Sequence, residues 1–197
     1  MNYLAHIYLS GNNDQIKVGN FIADFISGNK YKNFDKDIQK GILLHRQIDT
    51  YTDAHSIFRQ SKKRLFSDFR HYSAVIVDMF YDHFLAKNFS EYSSIPLEEF
   101  VTDFYDMMIK HQDGIPPKVK KILPVMIEFN WLASYKDLDQ LTIILNQMNN
   151  RTKHKPNLHH SIEILKQNYS SFEQEFSLFF ADLLREKEKM YISLNID

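Results

Sequence analysis

The stretch YSAVIVDMFYDHFLAKNF, residues 72–89, decides the fold, because it is long, mostly apolar and lacks the alternation of a strand. It predicts a helix that is buried over most of its surface. Asp78, Asp82 and His83 interrupt this apolar run. Two like charges one helical turn apart cost about 0.2–0.5 kcal/mol even on an exposed helix, and burial raises that cost. The sequence therefore requires something that neutralises the two carboxylates.

The chain on both sides of this stretch has the period of a helix. No segment alternates apolar and polar residues cleanly enough to indicate a strand. The sequence predicts one all-α domain over residues 1–197, with about eight helices. The expected segments are a first turn or two near 4–8, then 16–26, 35–52, 57–69, 72–89, 96–108, 118–131, 138–148, 159–169 and 172–191.

The composition of the 197 residues excludes several classes of protein. With no cysteine, the chain has no disulfide, iron–sulfur cluster, zinc–thiolate site or cysteine nucleophile. Lys and Arg total 24 against 25 for Asp and Glu, and no nucleic-acid-binding motif is present, so nucleic acid is disfavoured. No apolar run reaches the length of a membrane span, and no secretory signal is recognisable. We expect a cytoplasmic protein.

The acidic residues are unevenly distributed. Residues 1–90 contain nine Asp and no Glu, whereas all nine Glu lie from Glu91 onward. Five of the nine His also lie in the first 90 residues. Asp favours caps and turns and has a short side chain, so its concentration in helical sequence indicates a role other than helix formation.

Three segments carry the candidate chemistry: GNFIADF at 19–25, GILLHRQID at 41–49 with its continuation to Asp53, and DMFYDHF at 78–84. His45, Asp49 and Asp53 are spaced by four and share one stripe of a helix. A divalent cation that is bound by the third segment together with His45 and Asp24 would neutralise the carboxylates of that segment. Histidine and carboxylate donors without sulfur suit Mn²⁺, Fe²⁺, Mg²⁺ or Zn²⁺, ions that activate water.

Each of these residues also has a structural interpretation. His45 could be a hydrogen-bonded core histidine, and Asp24 could cap a turn or pair with Arg46. Asp49 and Asp53 could form a solvated stripe. Asp78 could pair with Arg70 or with a lysine.

The motifs resemble those of the bacterial acyl carrier protein phosphodiesterases, also called acyl carrier protein hydrolyases. The resemblance rests on NYLAH at 2–6, the three segments above, Thr52-Asp53, and D-x-x-x-D-H-F-L at 78–85. It implies an all-helical fold related to the HD phosphohydrolases, but non-standard, since this chain reads Asp82-His83 where those enzymes read His-Asp. It further implies hydrolysis, usually with Mn²⁺, of the phosphodiester that joins 4′-phosphopantetheine to a serine of holo acyl carrier protein.

On this resemblance, a metal site built from residues 1–90 uses four ligands, namely Asp24, His45, Asp82 and His83. Mn²⁺ is the expected ion, with Mg²⁺ or Fe²⁺ as alternatives. Asp49 or Asp78 would act as a base or orient a ligand imidazole. Arg46 would bind a phosphate oxygen or form a salt bridge, and His6 would protonate the leaving serine oxygen.

The implied partner is a small acidic protein, and the densest basic patch near the site segments is the candidate docking surface. It comprises Arg59, Lys62, Lys63, Arg64 and Arg70. Such a patch steers an acidic protein, and its competing interpretation is a solvated helix face. Two other functions remain open: an HD-like phosphohydrolase of nucleotides or small phosphoesters, and a helical module that binds an acidic partner without catalysis.

Overall fold

The computed structural model describes residues 2–149, 152 and 156–196, and these residues form α-helices and short 3-10 turns without any strand. The all-α prediction is therefore confirmed. The helices are α1 Tyr3–Tyr8, α2 Asp14–Ile22, α3 Lys36–Ala54, α4 Ser56–Phe69, α5 Ser73–Lys87, α6 Leu97–Lys110, α7 Pro117–Glu128, α8 Trp131–Ser134, α9 Leu138–Asn149, α10 Ser161–Gln167 and α11 Tyr169–Leu194.

Helix α5 lies at the centre of the core, as its sequence predicts. It packs against α1, α4, α9 and α11. Apolar side chains from Ile76 to Leu85 are fully buried, and so are Asp82 and His83. Because α5 is covered on nearly every side, its polar residues need partners inside the protein or in a cavity.

Two glycines set the spacing between α2 and α3, which pack closely together. A Cβ atom at Gly19 would lie 2.2 Å from the carbonyl oxygen of Ile38, and one at Gly41 would lie 2.3 Å from that of Ile16. No side chain fits in either place, so only glycine permits this approach of the two backbones. The contact brings Asn20 and Asp24 beside His45, which lies one turn beyond Gly41.

The described residues contain eleven α-helices, more than the eight or so expected, and ten of them coincide with the ten segments that the sequence outlines. Helix α8 was not predicted. It begins after Asn130, which has a left-handed conformation with φ of 43°. Helix α2 ends at Ile22 and continues only as a 3-10 turn, Ala23–Phe25. No helix among the described residues is long and apolar enough to cross a membrane.

Candidate metal centre

Two histidines and two aspartates from three elements meet at one point. His6 of α1 and His45 of α3 stack, with ring centroids 3.9 Å apart. The carboxylate of Asp49 bridges them, with Oδ1 3.1 Å from His6 Nε2 and Oδ2 3.1 Å from His45 Nε2. Asp24, from the 3-10 turn after α2, places Oδ1 3.2 Å from the same nitrogen of His45. We call these four residues the His–Asp cluster.

Asn20 fixes the orientation of His45 from the other side of the imidazole ring. Its side-chain oxygen accepts a hydrogen bond from His45 Nδ1 at 3.1 Å. Its amide nitrogen donates to the carbonyl oxygen of His6 and to the hydroxyl of Ser10, both at 2.9 Å. Asn20 therefore ties α1 and α3 together and leaves Nε2 of His45 facing the carboxylates, the arrangement of a supported metal ligand.

The pKa values follow from these contacts. Burial opposes a charge on His45, but its hydrogen bonds to Asp24 and Asp49 raise its pKa to about 9. Burial and the neighbouring His45 lower the pKa of His6 to about 4, despite its contact with Asp49. Hydrogen bonds from both imidazoles hold the pKa of Asp49 far below its usual range, although burial opposes this shift. The cluster thus contains ionised carboxylates and one protonated imidazole.

The cluster opens into a cavity of about 350 Å³. Asp24, His45 and Asp49 lie on its wall, and the remaining lining comes from Asn2 before α1, the α3 C-terminus, the α4–α5 turn and the start of α5. The full lining is Asn2, Asp24, His45, Asp49, Thr52, Asp53, His71, Ala74, Val75 and Asp78. Burial raises the pKa of Asp78, so this carboxyl is a stronger base than a surface aspartate.

Asp82 is placed away from the cavity lining, at the start of α1. Its two carboxylate oxygens accept hydrogen bonds from the backbone N–H groups of Leu4, at 2.8 Å, and Ala5, at 3.3 Å. Burial raises the pKa of Asp82 to about 7, although these two N–H groups favour the charged form. Asp82 therefore holds the helix that carries His6.

His83 has partners for both ring nitrogens, and the structure does not bring it to the cluster. Nδ1 donates to the carbonyl oxygen of Tyr135 and Nε2 accepts from the hydroxyl of Tyr169, each at 2.8 Å. The imidazole is buried, and burial lowers its pKa. These contacts connect α5 to the α8–α9 region and to α11.

Arg46 points away from the cavity. Its guanidinium donates to the carbonyl oxygens of Ile26, at 3.0 Å, and Gly28, at 2.9 Å, and lies over the ring of Tyr31. Gly28 has φ of 56°, a conformation that favours glycine. Arg46 thus fixes the turn that follows Asp24, and the contact differs from both expected roles, a phosphate contact and a salt bridge.

The predicted basic patch divides into paired and exposed residues. Arg64 forms a bidentate ion pair with the buried Glu175, at 2.5 and 2.6 Å, and so connects α4 to α11. Arg59, Lys63 and Arg70 are exposed, while Lys62 is half-buried over the ring of Phe58. Arg59 also donates to the carbonyl oxygen of Asp53, on the cavity wall.

Comparison with known proteins assigns the family. A family profile described as "Acyl carrier protein phosphodiesterase" matches residues 1–183. The chain belongs to the acyl carrier protein phosphodiesterase family. Proteins of that name are 27% identical over 193 residues in Yersinia pestis and 30% identical over 190 residues in Escherichia coli K12 (strain DH10B). These alignments cover 98% and 96% of this chain, and 100% and 98% of the relatives. No solved structure matches the chain.

The donor set of this acyl carrier protein phosphodiesterase family member fits a divalent ion. His6, His45 and Asp49 each offer a ligand atom, and these atoms lie within 4.8 Å of one another. Among the described residues, His6 Nδ1 and the Thr52 hydroxyl beside the cavity are buried without a hydrogen-bond partner. Imidazole and carboxylate donors without sulfur are the set that Mn²⁺ and Fe²⁺ accept.

Sequence reasoning missed three residues of this family member's site. Asn20 lies inside the GNFIADF motif, yet only the structure shows that it orients His45. Asn2 and His71 line the cavity from the chain start and from the α4–α5 turn. Asn2 lies in the NYLAH motif, whereas no sequence signal relates His71 to the other segments.

Proposed function

We propose that this protein hydrolyses the phosphodiester bond between 4′-phosphopantetheine and a serine of holo acyl carrier protein, releasing the apo carrier and 4′-phosphopantetheine. One observation supports this most directly: the His–Asp cluster opens into a cavity in a chain of the acyl carrier protein phosphodiesterase family. The curated relatives carry that name. A cytoplasmic location stays a prediction, and the lack of cysteine fits a reducing compartment.

His6, His45, Asp49 and Asp24 would hold a divalent ion, with Mn²⁺ proposed first. The mixed nitrogen and oxygen donors favour Mn²⁺ or Fe²⁺ over Mg²⁺, which prefers oxygen alone. Such an ion, when bound, would polarise a phosphoryl oxygen and lower the pKa of water. His6 would act as a metal ligand and not as the acid for the leaving serine oxygen, because its Nε2 lies against Asp49.

The protein's own groups would orient the reactants and move protons. Asp49 contacts imidazoles through both carboxylate oxygens, so it suits a ligand better than a base. Asp78 lies on the cavity wall with a raised pKa and would accept a proton from the attacking water. Asn20 would hold His45 in its ligating tautomer, and Arg46 would hold the turn of Asp24.

Asp82 and His83 would not bind the metal ion directly. Asp82 would position His6 by anchoring α1, and His83 would stabilise the core. Their hydrogen bonds within the protein support these roles in place of the metal ligation that the resemblance implies.

The acidic carrier would dock along α4. Both ends of this helix adjoin the cavity, because Arg59 contacts Asp53 at one end and the turn at Arg70 leads into His71 at the other. Arg59, Lys63 and Arg70 would therefore provide positive charge near the cavity mouth, with Lys62 beside them. Arg64 would contribute less, because Glu175 pairs with it.

The decisive experiment uses the purified protein, chelated and then reloaded with Mn²⁺, together with holo carrier. We expect intact-mass spectrometry to show loss of the phosphopantetheine group, and Mn²⁺ removal to stop the reaction. Unchanged holo carrier would contradict the proposal. If the protein hydrolysed nucleotides or small phosphodiesters and left holo carrier unchanged, the alternative function, an HD-like phosphohydrolase of small phosphoesters, would be supported.

A further inference from the structure

A second imidazole lies on the cavity wall beside that of His45. His71 is exposed and belongs to the turn Arg70–Tyr72 between α4 and α5. Its ring contacts that of Tyr72, with centroids 4.1 Å apart. Within the described part of the chain, it forms no ion pair with a carboxylate, in contrast to His6, His45 and His55. His71 is therefore the lining imidazole that remains available to a substrate.

The backbone of this turn holds His71 at the cavity. Arg70 has φ of 49° and ψ of −123°, a backbone conformation that residues other than glycine seldom adopt. The chain reverses there between α4 and α5, with the buried residues Phe69 on one side and Ser73 on the other. The Ser73 hydroxyl donates to the carbonyl oxygen of Arg70 at 2.7 Å and fixes the turn.

The proposed reaction needs an acid at the cavity that can protonate the leaving oxygen. A serine alkoxide is a strong base and leaves phosphorus slowly unless it is protonated as the bond breaks. His6 and His45 face Asp49, and His83 is enclosed by Tyr135 and Tyr169. Imidazole is the side chain that exchanges protons most readily near neutral pH.

We propose that His71 is the acid that protonates the leaving serine oxygen, an inference that rests on the proposed function. The water oxygen forms a bond to phosphorus while the bond between phosphorus and the serine oxygen breaks. Water gives one proton to Asp78, and His71 gives one to the serine oxygen. The products are a serine hydroxyl and a phosphomonoester, and Asp78 then releases its proton to solvent while His71 regains one from solvent.

The test compares two leaving groups in the Mn²⁺-loaded protein. One substrate is holo carrier, and the other is the 4-nitrophenyl diester of 4′-phosphopantetheine, whose leaving group needs no proton. We expect His71→Gln to lower kcat roughly 100-fold on holo carrier and less than about threefold on the aryl ester. Asp78→Asn should impair both substrates, and exposed His160→Gln should impair neither.

A second measurement uses holo carrier alone. Added imidazole should restore part of the activity of His71→Ala, since a free acid can enter the cavity, and should not restore that of His45→Ala. Equal loss on both substrates, no loss on holo carrier, or no rescue by imidazole would overturn the role of His71. A wild-type protein that leaves holo carrier intact would refute the proposed function itself, which the His71 variants alone cannot do.

Discussion

The two Asp/His groups in the first 90 residues differ in how their polar atoms are satisfied. In the His–Asp cluster, two imidazoles and two carboxylates face one another at the wall of an open cavity. In the pair Asp82-His83, both carboxylate oxygens and both ring nitrogens bind groups of the fold itself. Groups that the fold satisfies stabilise it, whereas imidazoles and carboxylates gathered at the wall of an open cavity are available to bind a ligand.

Replacing one histidine of each group by leucine tests this difference most strongly. His45→Leu should abolish stoichiometric Mn²⁺ binding and lower holo-carrier hydrolysis roughly 1000-fold or more, because a direct ligand is lost. Asp24 and Asp49 would remain solvated, since their side chains are 59% and 43% exposed. Metal analysis measures Mn²⁺ binding, the mass of the carrier measures hydrolysis, and thermal unfolding checks that the variant stays folded.

His83→Leu should show the opposite pattern. The Tyr135 carbonyl and the Tyr169 hydroxyl would lose their partner, which should cost about 2–4 kcal/mol in the free energy of unfolding. Metal content and the activity of the folded fraction should stay near those of the wild type. Loss of metal from His83→Leu, or full metal in His45→Leu, would reverse the assignment of the two groups.

A smaller effect is expected from the residue that orients the cluster. Asn20→Ala removes the acceptor of His45 Nδ1 and should weaken Mn²⁺ binding roughly 10- to 100-fold. The affinity is measurable by titration of the chelated protein. Exposed Asn29→Ala serves as the control. An unchanged affinity in Asn20→Ala would show that the cluster orients itself.

The smallest effect is expected at Arg46. Arg46→Met removes two hydrogen bonds to the turn after Asp24 and should lower kcat/KM on holo carrier by about three- to tenfold through loss of positioning. If Arg46 instead contacted a phosphate group of the substrate, Arg46→Met would raise KM and the inhibition constant of inorganic phosphate. Exposed Arg185→Met is the matched control.

The sequence predicted the helices well, since apolar spacing over ten or more residues leaves little ambiguity. It also placed His45 and Asp49 on one stripe, because residues four apart on a helix share a face. It assigned Asp82 as a ligand and Asp78 as a base or orienting group, but α5 offers no exposed face that shows which carboxyl lines the cavity. The contact of His6 with Asp49 depends on how α1 docks, which no local pattern encodes. For the same reason, the position of His71 at the cavity became visible only in three dimensions, and the relation to HD phosphohydrolases stays a prediction.

The contact between Gly19 and Gly41 has a consequence for how this protein can change in evolution. The atoms that each missing side chain would strike are carbonyl oxygens of Ile38 and Ile16, which every amino acid possesses. As far as this contact is concerned, those two positions are free to mutate, whereas the glycines are not. Selection on the close approach of the two helices therefore acts strongly on these two glycines, and through them on the geometry of the cluster beside them.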